Sequence, residues 1–312
     1  MKKCLIIDKM HESIITGLQK LKIAVEYKPD LTPDDLPDQL EGINILVVRS
    51  KVRIDQSLLM NASDLEIVCR AGAGIDNLDT DLLEEKGIEI INAPEGNRDA
   101  VAEHTLALML SLLNYIPKSD VEVRKSIWDR EGNRGYELKN RTIGLIGYGY
   151  MGRAVARKLQ PFKPEIIAYD KYLPKIDDDF AKKVSLEELQ EKADVVSLHI
   201  PLTDETRNMA DDDFFNKFRN KILFINTARG EITNFKSLVN AFENNKVWGM
   251  GLDVLPVEKL DKLTSEEEDL FNKLTKMPNT LFTPHVAGWT FESYKKISEV
   301  IVEKIALVLN KN

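Results

Sequence analysis

The 312-residue sequence has only two cysteines and four histidines, and it contains no internal repeat or low-complexity tract. Cys4 and Cys69 both lie inside apolar runs, which indicates buried free thiols and argues against a disulfide. No apolar run approaches the ~20 residues of a membrane-spanning helix. The first residues, "MKKCLIIDKM", have too short an apolar stretch for a signal peptide. These absences argue against disulfide-rich and membrane-spanning proteins, and we expect a cytoplasmic location.

Positively charged residues are fewer than negatively charged ones. Lys and Arg number 43 against 51 Asp and Glu, which gives a net charge of −8. Nucleic acids and anionic membranes attract proteins with a positive field, so we expect neither as a partner. An anionic small molecule must instead be bound by local cations. No group of His, Cys and carboxylate residues has the spacing of metal ligands, so we expect no metal site.

Short apolar runs alternate with helical patterns along nearly the whole chain, which is typical of α/β proteins with parallel sheets. The first such unit ends near residue 95, and the helical pattern "DAVAEHTLALMLSLLNYI" follows it. A second unit begins at "RTIGLIGYGYMG", and an amphipathic helical pattern ends the chain. We therefore predict two doubly wound parallel-sheet domains. Residues 98–288 form a nucleotide-binding domain, which is inserted into a substrate domain made of residues 1–97 and 289–312.

The second unit opens with a glycine-rich pattern, G-x-G-x-x-G, formed by Gly147, Gly149 and Gly152. It follows an apolar strand and begins a helix, as a dinucleotide-binding turn must. The first glycine permits a tight turn, the second lets a pyrophosphate approach the backbone, and the third allows close packing of helix and strand. Asp170 ends the next strand, where a carboxylate binds a ribose diol and repels a 2′-phosphate. The pattern predicts NAD as the cofactor.

Reduction of a ketone by NADH also needs a proton donor, and histidine suits that task near neutral pH. His285 ends the last strand, at the sheet edge where ligands bind in open parallel sheets. His11 is expected on the surface and His104 in a packed, hydrogen-bonded position. Arg229 ends the strand in "ILFINTARGE" and suits bidentate binding of a carboxylate. Glu258 follows another strand and would orient the imidazole of His285.

These segments resemble the D-isomer-specific 2-hydroxyacid dehydrogenase family. The resemblance is carried by "RAGAGIDNLD", "GNRDAVAEHTLALML", "GLIGYGYMG", "LHIPLTDET", "INTARGE", "GLDVLPVE" and "TPHVAG", in that family's order. It implies a Rossmann domain inserted into a flavodoxin-like domain. It also implies that Arg229 binds the substrate carboxylate and carbonyl, that His285 is the acid/base and that Glu258 is its partner.

The resemblance extends to the binding residues. Those implied for the cofactor are Gly147, Tyr148, Gly149, Tyr150, Met151, Gly152, Asp170, His199, Pro201, Thr206, Thr227, Ala228 and Asp253, the last at the nicotinamide amide. His199 would line either the nicotinamide or the adenosine side. Those implied for the substrate are Arg49, Ser50, Lys51, Ala73, Gly74 and Asn97. A homodimer through the nucleotide-binding domain, with residues around 100 to 136 as its arm, is implied as well.

The identity of the substrate depends on "VVRSKVR". These cations form either a solvated basic loop or a phosphate site, and the segment resembles the D-3-phosphoglycerate dehydrogenase branch, which implies serine biosynthesis. We therefore favour D-3-phosphoglycerate and 3-phosphohydroxypyruvate. Glyoxylate or hydroxypyruvate reduction and a D-lactate-type activity are the alternatives. After the terminal helical pattern we do not expect the regulatory domain of many phosphoglycerate dehydrogenases, nor feedback by serine through one.

Two departures from the family pattern bear on the site. Lys259 stands where members commonly have proline, which puts the geometry of Glu258 in question. Trp289 stands where many members have a small residue, and it either narrows the pocket or packs between domains. A non-catalytic NAD sensor or corepressor on the same scaffold is the competing hypothesis from another class. The set of Arg229, Glu258 and His285 argues against it.

Overall fold

The structure is a computed structural model that describes residues 1–310. The chain divides into two compact units. Unit 1 contains Met1–Arg98 and the segment from Trp289 onward, and unit 2 contains Asp99–Gly288. Helix α4 (Pro94–Leu113) contains the boundary between them. No helix among residues 1–310 combines the length and apolar character needed to cross a membrane.

Unit 1 is built on a parallel sheet of five strands. They are β1 (Lys3–Ile6), β2 (Ala24–Tyr27), β3 (Ile45–Val48), β4 (Ile67–Arg70) and β5 (Glu89–Asn92). Their spatial order is β2-β1-β3-β4-β5, which is the flavodoxin-like order. Its helices are α1 (Ser13–Lys20), α2 (Gln56–Leu59), α3 (Thr80–Glu85) and α11 (Phe291–Leu309).

Alternate residues of the unit 1 strands pack into two separate hydrophobic cores, one on each face of the sheet. Cys4, Ile6 and Val47 pack in the cluster that includes Ile297 and Ile301 of α11. Leu5 and Leu46 pack in the cluster on the other face. This double coverage is why the strands are continuously apolar. Both cysteines are buried free thiols, as the sequence predicted, and burial raises the pKa of Cys4 to about 12.

Unit 2 is built on a parallel sheet of seven strands. They are β6 (Thr142–Ile146), β7 (Glu165–Tyr169), β8 (Lys182–Lys183), β9 (Val195–Leu198), β10 (Ile222–Asn226), β11 (Val247–Leu252) and β12 (Thr280–Phe282). Their order is β12-β11-β10-β9-β6-β7-β8, so the chain reverses direction beside β6 as in a Rossmann fold. Its helices are α5 (Ile116–Arg124), α6 (Tyr150–Leu159), α7 (Leu186–Lys192), α8 (Asp212–Asn216), α9 (Phe235–Glu243) and α10 (Ser265–Thr275).

Two helices differ from the sequence pattern. Helix α4 begins at Pro94, well before the apolar pattern starts, because Pro is suited to a first helical turn. Gly96 permits this early start: a Cβ there would lie 2.7 Å from the Cα of Ile297. Helix α5 was not predicted from the sequence, and Pro117 lies in its first turn, where proline is tolerated because the first N–H groups of a helix have no intrahelical acceptor.

Candidate active site

Three neighbouring strands of unit 2 end in register. Asn226 of β10 pairs with Leu252 of β11, which in turn pairs with Phe282 of β12. The loops that follow these strands carry Arg229, Glu258 and His285. Because the carboxyl ends of parallel strands share one edge, residues distant in sequence are brought to one side of the sheet.

The Arg229 loop is held by Asn226, the last residue of β10. The buried amide of Asn226 accepts a hydrogen bond from the Ala228 N–H at 3.0 Å and donates one to the Arg229 carbonyl at 2.9 Å. The Nη1 of Arg229 donates to the Ala228 carbonyl at 2.7 Å. These bonds fix the backbone on both sides of Arg229 and constrain the direction of its guanidinium. Sequence inspection did not single out Asn226.

Gly230 lets the Arg229 loop approach the loop that follows β11. A Cβ on Gly230 would lie 1.8 Å from the Leu255 carbonyl oxygen, a distance that no side chain tolerates. Only glycine fits this contact. Glu258 lies three residues beyond Leu255, so the contact brings the arginine loop beside the glutamate loop.

His285 and Glu258 form a direct pair. The Nδ1 of His285 lies 2.7 Å from the Oε1 of Glu258, and both side chains are about half exposed. An Nδ1–H donated to the carboxylate leaves Nε2 of the imidazole for another partner. Lys259, in place of the family's proline, does not prevent this pairing.

Asp253 holds the loop on which His285 lies. Its buried carboxylate accepts hydrogen bonds from the Thr283 hydroxyl at 2.6 Å and from the N–H groups of Val286 and Ala287, both at 2.9 Å. The sequence implied a nicotinamide contact for Asp253. In the structure these three donors make Asp253 an anchor of the His285 loop, and its contact with the nicotinamide stays a prediction.

The backbone of His285 is itself unusual. Its φ is 55°, a left-handed conformation that costs roughly 1–2 kcal/mol in a non-glycine residue. Its N–H donates to the carbonyls of Asp253 at 2.7 Å and Thr283 at 3.0 Å, which stabilises the turn. His104 supports the same segment, because its Nε2 lies 2.9 Å from the Thr283 hydroxyl and 3.5 Å from Asp253. Such local strain is concentrated at functional sites.

The three fingerprint glycines differ in their surroundings. Gly147 has a φ of 93°, and a Cβ there would lie 2.5 Å from the His199 carbonyl oxygen. A Cβ on Gly152 would lie 2.2 Å from the Gly147 carbonyl oxygen, whereas a Cβ on Gly149 would meet nothing within 4 Å. Gly149 caps α6 without any side-chain hydrogen bond. Open space before a helix N-terminus fits a pyrophosphate, so these residues fit a dinucleotide.

Asp170 and Tyr148 shape the turn around the fingerprint. Asp170 accepts hydrogen bonds from the N–H groups of Tyr148 at 2.8 Å and of Tyr172 and Leu173 at 3.0 Å. The Tyr148 ring is buried, its hydroxyl donates to Asp178 at 2.8 Å, and burial raises its pKa. Tyr148 therefore offers a ligand only its backbone. Tyr150, at the first turn of α6, is half exposed, and the next residue, Met151, is partly buried.

Further predicted cofactor residues lie at the ends of β9 and β10. The Nε2 of His199 lies 2.9 Å from the Ser197 hydroxyl, while its buried Nδ1 has no hydrogen-bond partner among residues 1–310. Burial lowers the pKa of His199 to about 4, so its ring is neutral at pH 7. The Thr206 hydroxyl donates to the Pro201 carbonyl at 2.7 Å and so organises its own loop.

Thr227 and Ala228 lie between β10 and Arg229. The Thr227 hydroxyl lies 3.0 Å from that of Thr105 in α4. Ala228 is buried, with its N–H bound to Asn226. Their side chains therefore support the loop, and Ala228 presents no polar side chain to a ligand.

In unit 1 the predicted substrate cations have different environments. The ammonium of Lys51 donates to the carbonyls of Ile7 at 2.7 Å, Pro29 at 2.5 Å and Leu31 at 3.0 Å. Its three donors are thereby used, so the structure assigns it to holding the loops and it does not fit the predicted substrate role. Arg49 lies with its guanidinium 4.0 Å above the Trp289 ring. Ser50 is exposed beside it.

Hydrogen bonds from the end of β5 hold the glycine-rich loop that follows β4. Asn92 donates its side-chain amide to the Ala73 carbonyl at 2.8 Å, and the Ala93 N–H donates to the Gly72 carbonyl at 2.8 Å. Gly74 follows in this loop. Asn97 lies in the first turns of α4, and its buried Oδ1 has no hydrogen-bond partner among residues 1–310. Bare loop amides and an unsatisfied amide oxygen are groups that a polar ligand would satisfy.

The sequence model of the D-isomer specific 2-hydroxyacid dehydrogenase NAD-binding domain matches residues 106–287. The chain belongs to this family. The match covers more than half of the chain and includes the fingerprint, the Arg229 loop and the His285–Glu258 pair. The predicted fold class, NAD-binding assignment and oxidoreductase class are thereby confirmed.

Similarity to individual proteins over nearly all of this chain agrees with the family assignment. The chain is 32% identical to the hydroxypyruvate reductase of Thermotoga maritima over 96% of this chain and 94% of that protein. It is 33% identical to the D-3-phosphoglycerate dehydrogenase of Methanocaldococcus jannaschii over 99% of this chain but 58% of that protein. The chain thus spans little more than half of this phosphoglycerate dehydrogenase. The crystal structure of D-lactate dehydrogenase from Aquifex aeolicus with NAD and lactic acid superposes with a TM-score of 0.84 at 25% identity, covering 99% of this chain and 96% of that one.

Proposed function

We propose that this dehydrogenase interconverts a D-2-hydroxy acid and its 2-oxo acid, with 3-phosphohydroxypyruvate as the preferred oxo acid. The observation that carries the proposal is the 2.7 Å pair of His285 and Glu258 at the sheet edge that also carries Arg229. An acid/base, its orienting carboxylate and a carboxylate-binding guanidinium are the groups that this reaction requires.

Each side chain has one task in the proposed reaction. The Arg229 guanidinium binds the substrate carboxylate and polarises the adjacent carbonyl. Nε2 of His285 donates a proton to the carbonyl oxygen during reduction and takes it back during oxidation. Glu258 holds the imidazole in the orientation that presents Nε2. When bound, the nicotinamide supplies or accepts the hydride at C2.

The cofactor proposal rests on the open space at Gly149 and on Asp170 beside the fingerprint turn. His199 supplies a neutral imidazole whose unsatisfied Nδ1 can meet a polar group of the cofactor. Met151, Tyr150 and the backbone of Tyr148 complete the turn. A carboxylate at Asp170 favours NAD over NADP, because a 2′-phosphate would be repelled.

The choice of a phosphorylated substrate rests on Arg49, together with Ser50 and the Ala73–Gly74 backbone. A substrate phosphate in an acidic protein needs a local cation, and Arg49 meets this need whereas Lys51 does not. The second candidate substrate is unphosphorylated hydroxypyruvate, which is favoured by the near full-length match to a hydroxypyruvate reductase.

We propose a cytoplasmic location for the enzyme.

A panel of 2-oxo acids, followed by NADH absorbance, tests the proposal. We expect the highest kcat/KM with 3-phosphohydroxypyruvate and lower values with hydroxypyruvate, glyoxylate and pyruvate. A higher value with hydroxypyruvate would select the second candidate. No oxidation of NADH with any 2-oxo acid would refute the proposed function.

We further propose that unit 2 forms a homodimer through residues 116–136. Six large apolar side chains in this short stretch are exposed: Ile116, Val121, Val123, Ile127, Trp128 and Tyr136. Such a concentration of exposed apolar residues indicates an interface, and a second copy of the chain is its expected partner. Sedimentation should give a dimer that Trp128→Glu with Val123→Asp converts to a monomer. A monomeric parent protein would refute this proposal.

A further inference from the structure

Four side chains of unit 1 form a cluster of ring and cation–π contacts, which we define as Arg49, Trp289, Tyr294 and His11. The Cζ of Arg49 lies 4.0 Å from the centre of the Trp289 ring. Trp289 packs edge-on against Tyr294 at 5.4 Å, and Tyr294 packs edge-on against His11 at 6.1 Å. Arg49 directly follows β3, so the cluster reaches the carboxyl edge of the unit 1 sheet.

The start of α11 fixes the position of Trp289. Thr290 caps this helix and forms a capping box with Ser293. Trp289 precedes the cap and contacts Tyr294, the fourth helical residue, as in a hydrophobic staple. The indole ring therefore has a defined orientation before any ligand binds, even though half of its surface is exposed.

The N–H groups of the Arg49 guanidinium are available to bind a ligand. Among residues 1–310, no hydrogen bond or salt bridge to its guanidinium is found, and the Trp289 ring lies against it. Burial lowers the pKa of Arg49, and nearby Asp8 and Tyr294 partly oppose that effect. The Asp8 carboxylate is itself bound to the Arg49 backbone N–H at 2.7 Å. A partly desolvated guanidinium without an acceptor favours an anionic ligand.

We propose that Trp289 is a specificity-determining residue that holds Arg49 ready for an anionic group of the substrate. This inference rests on the proposed function and deepens it, because it names a residue that selects 2-oxo acids with a second anionic group. Stacking occupies one face of the guanidinium and leaves its N–H edge for phosphate oxygens. Holding the edge in place before binding lowers the entropy cost of binding.

The same arrangement disfavours neutral substrates. A methyl or hydroxymethyl group at this position would remove water from the guanidinium without supplying a charge or an acceptor in its place. Trp289 thus acts on selectivity through Arg49, while the groups at the reacting carbonyl are untouched. This separates its proposed role from that of a general packing residue.

Two substitutions at Trp289 separate stacking from packing. Trp289→Leu keeps an apolar residue for the helix staple but removes the ring face, whereas Trp289→Phe keeps a smaller ring face. Phe291→Leu is the control, since Phe291 is 95% exposed two residues along the same helix start. The readout is the ratio of kcat/KM for 3-phosphohydroxypyruvate to that for hydroxypyruvate.

We expect Trp289→Leu to lower this ratio roughly 3- to 30-fold, the range of a cation–π contact expressed as a rate ratio. Trp289→Phe should lower it less, and Phe291→Leu should leave it unchanged. The thermal midpoints of the Leu and Phe variants should be similar, because both keep the staple. An unchanged ratio in Trp289→Leu, or an equal loss for both substrates, would overturn the inference.

A binding measurement keeps this test separate from the proposed function. If the parent protein shows no preference for 3-phosphohydroxypyruvate, the proposed substrate is wrong, and calorimetric titration with inorganic phosphate decides the inference. Phosphate binding that weakens at least 3-fold in Trp289→Leu but not in Phe291→Leu would sustain the role of Trp289. Equal binding by all three proteins, or no binding by the parent protein, would refute it.

Discussion

The Nδ1 of His285 lies 2.7 Å from the Oε1 of Glu258, and both residues follow strands that end in register. The carboxylate fixes one nitrogen of the imidazole, and the other is left to exchange a proton with a substrate. The positive φ of His285 and the Asp253 bonds to the next two N–H groups hold this orientation.

Glu258→Gln should lower kcat about 100-fold, at the lower end of what general acid–base catalysis contributes. The amide still fills the space but no longer supplies the charge that stabilises the imidazolium. The dissociation constant for NADH, measured by fluorescence titration, should stay the same. Lys259→Gln, at the exposed neighbouring position, is the control and should retain parental kcat. Equal rates for the two variants would count against a catalytic role for the pair.

Gly230→Ala should separate the Arg229 loop from the Glu258 loop, because its Cβ would lie 1.8 Å from the Leu255 carbonyl oxygen. We expect a loss of about 1–3 kcal/mol in the free energy of unfolding, as for overpacked sites. kcat should fall as well, since two catalytic groups are displaced. Denaturant unfolding and steady-state kinetics check this, and a variant with parental values of both would show that the close approach is unnecessary.

Gly149→Ala and Gly152→Ala form a matched pair. A Cβ at 149 has open space and should change stability by less than about 1 kcal/mol, yet it should weaken NADH binding by obstructing the pyrophosphate. A Cβ at 152 meets the Gly147 carbonyl oxygen at 2.2 Å and should lower the thermal midpoint. Undiminished NADH affinity in the Gly149 variant would contradict the placement of the pyrophosphate.

Asp253→Asn should destabilise the His285 loop. An amide offers one acceptor oxygen in place of two and directs N–H donors toward backbone N–H groups, at a cost of about 1–3 kcal/mol. kcat should fall while NADH binding is retained, because the carboxylate anchors the loop. If NADH affinity falls more than kcat, Asp253 contacts the nicotinamide, as the family resemblance implied.

His199 should make the protein less stable in acid. Its pKa is lowered to about 4 in the folded protein, so between that value and its ordinary value of 6.5 the unfolded chain binds more protons. Stability then rises with pH in this window, by at most about 1.4 kcal/mol per pH unit. Its contribution is fully present above pH 6.5 and is lost as the pH falls toward 4. Thermal midpoints between pH 7 and 5 should fall less for His199→Gln, and parallel curves would contradict a buried neutral imidazole.

The sequence predicted those parts of the fold that depend on local patterns. Apolar runs marked most strands, and the spacing of Gly147, Gly149 and Gly152 between a strand and a helix predicted the cofactor turn, because this spacing lies within one short segment of the chain. Parallel pairing also predicted that Arg229, Glu258 and His285 follow strands that end at one edge.

Contacts between distant residues could not be predicted from such patterns. The three carbonyls bound to Lys51 come from two other loops, and the partners of Asp253 become apparent only once β11 and β12 are paired. Gly230 gave no signal in the sequence beyond its place next to Arg229, since its steric requirement comes from Leu255. The start of α4 at Pro94 likewise depends on the packing of Gly96 against Ile297.

The most direct test of the account is the rate of hydride transfer in a single turnover of Arg229→Ala, measured by the decay of NADH absorbance after rapid mixing with a 2-oxo acid. Loss of a preorganised charge-stabilising donor should slow this step by about 10²–10³-fold, while the dissociation constant for NADH stays at the parental value. Hydride transfer at the parental rate would contradict the assignment of Arg229 and, with it, the proposed active site.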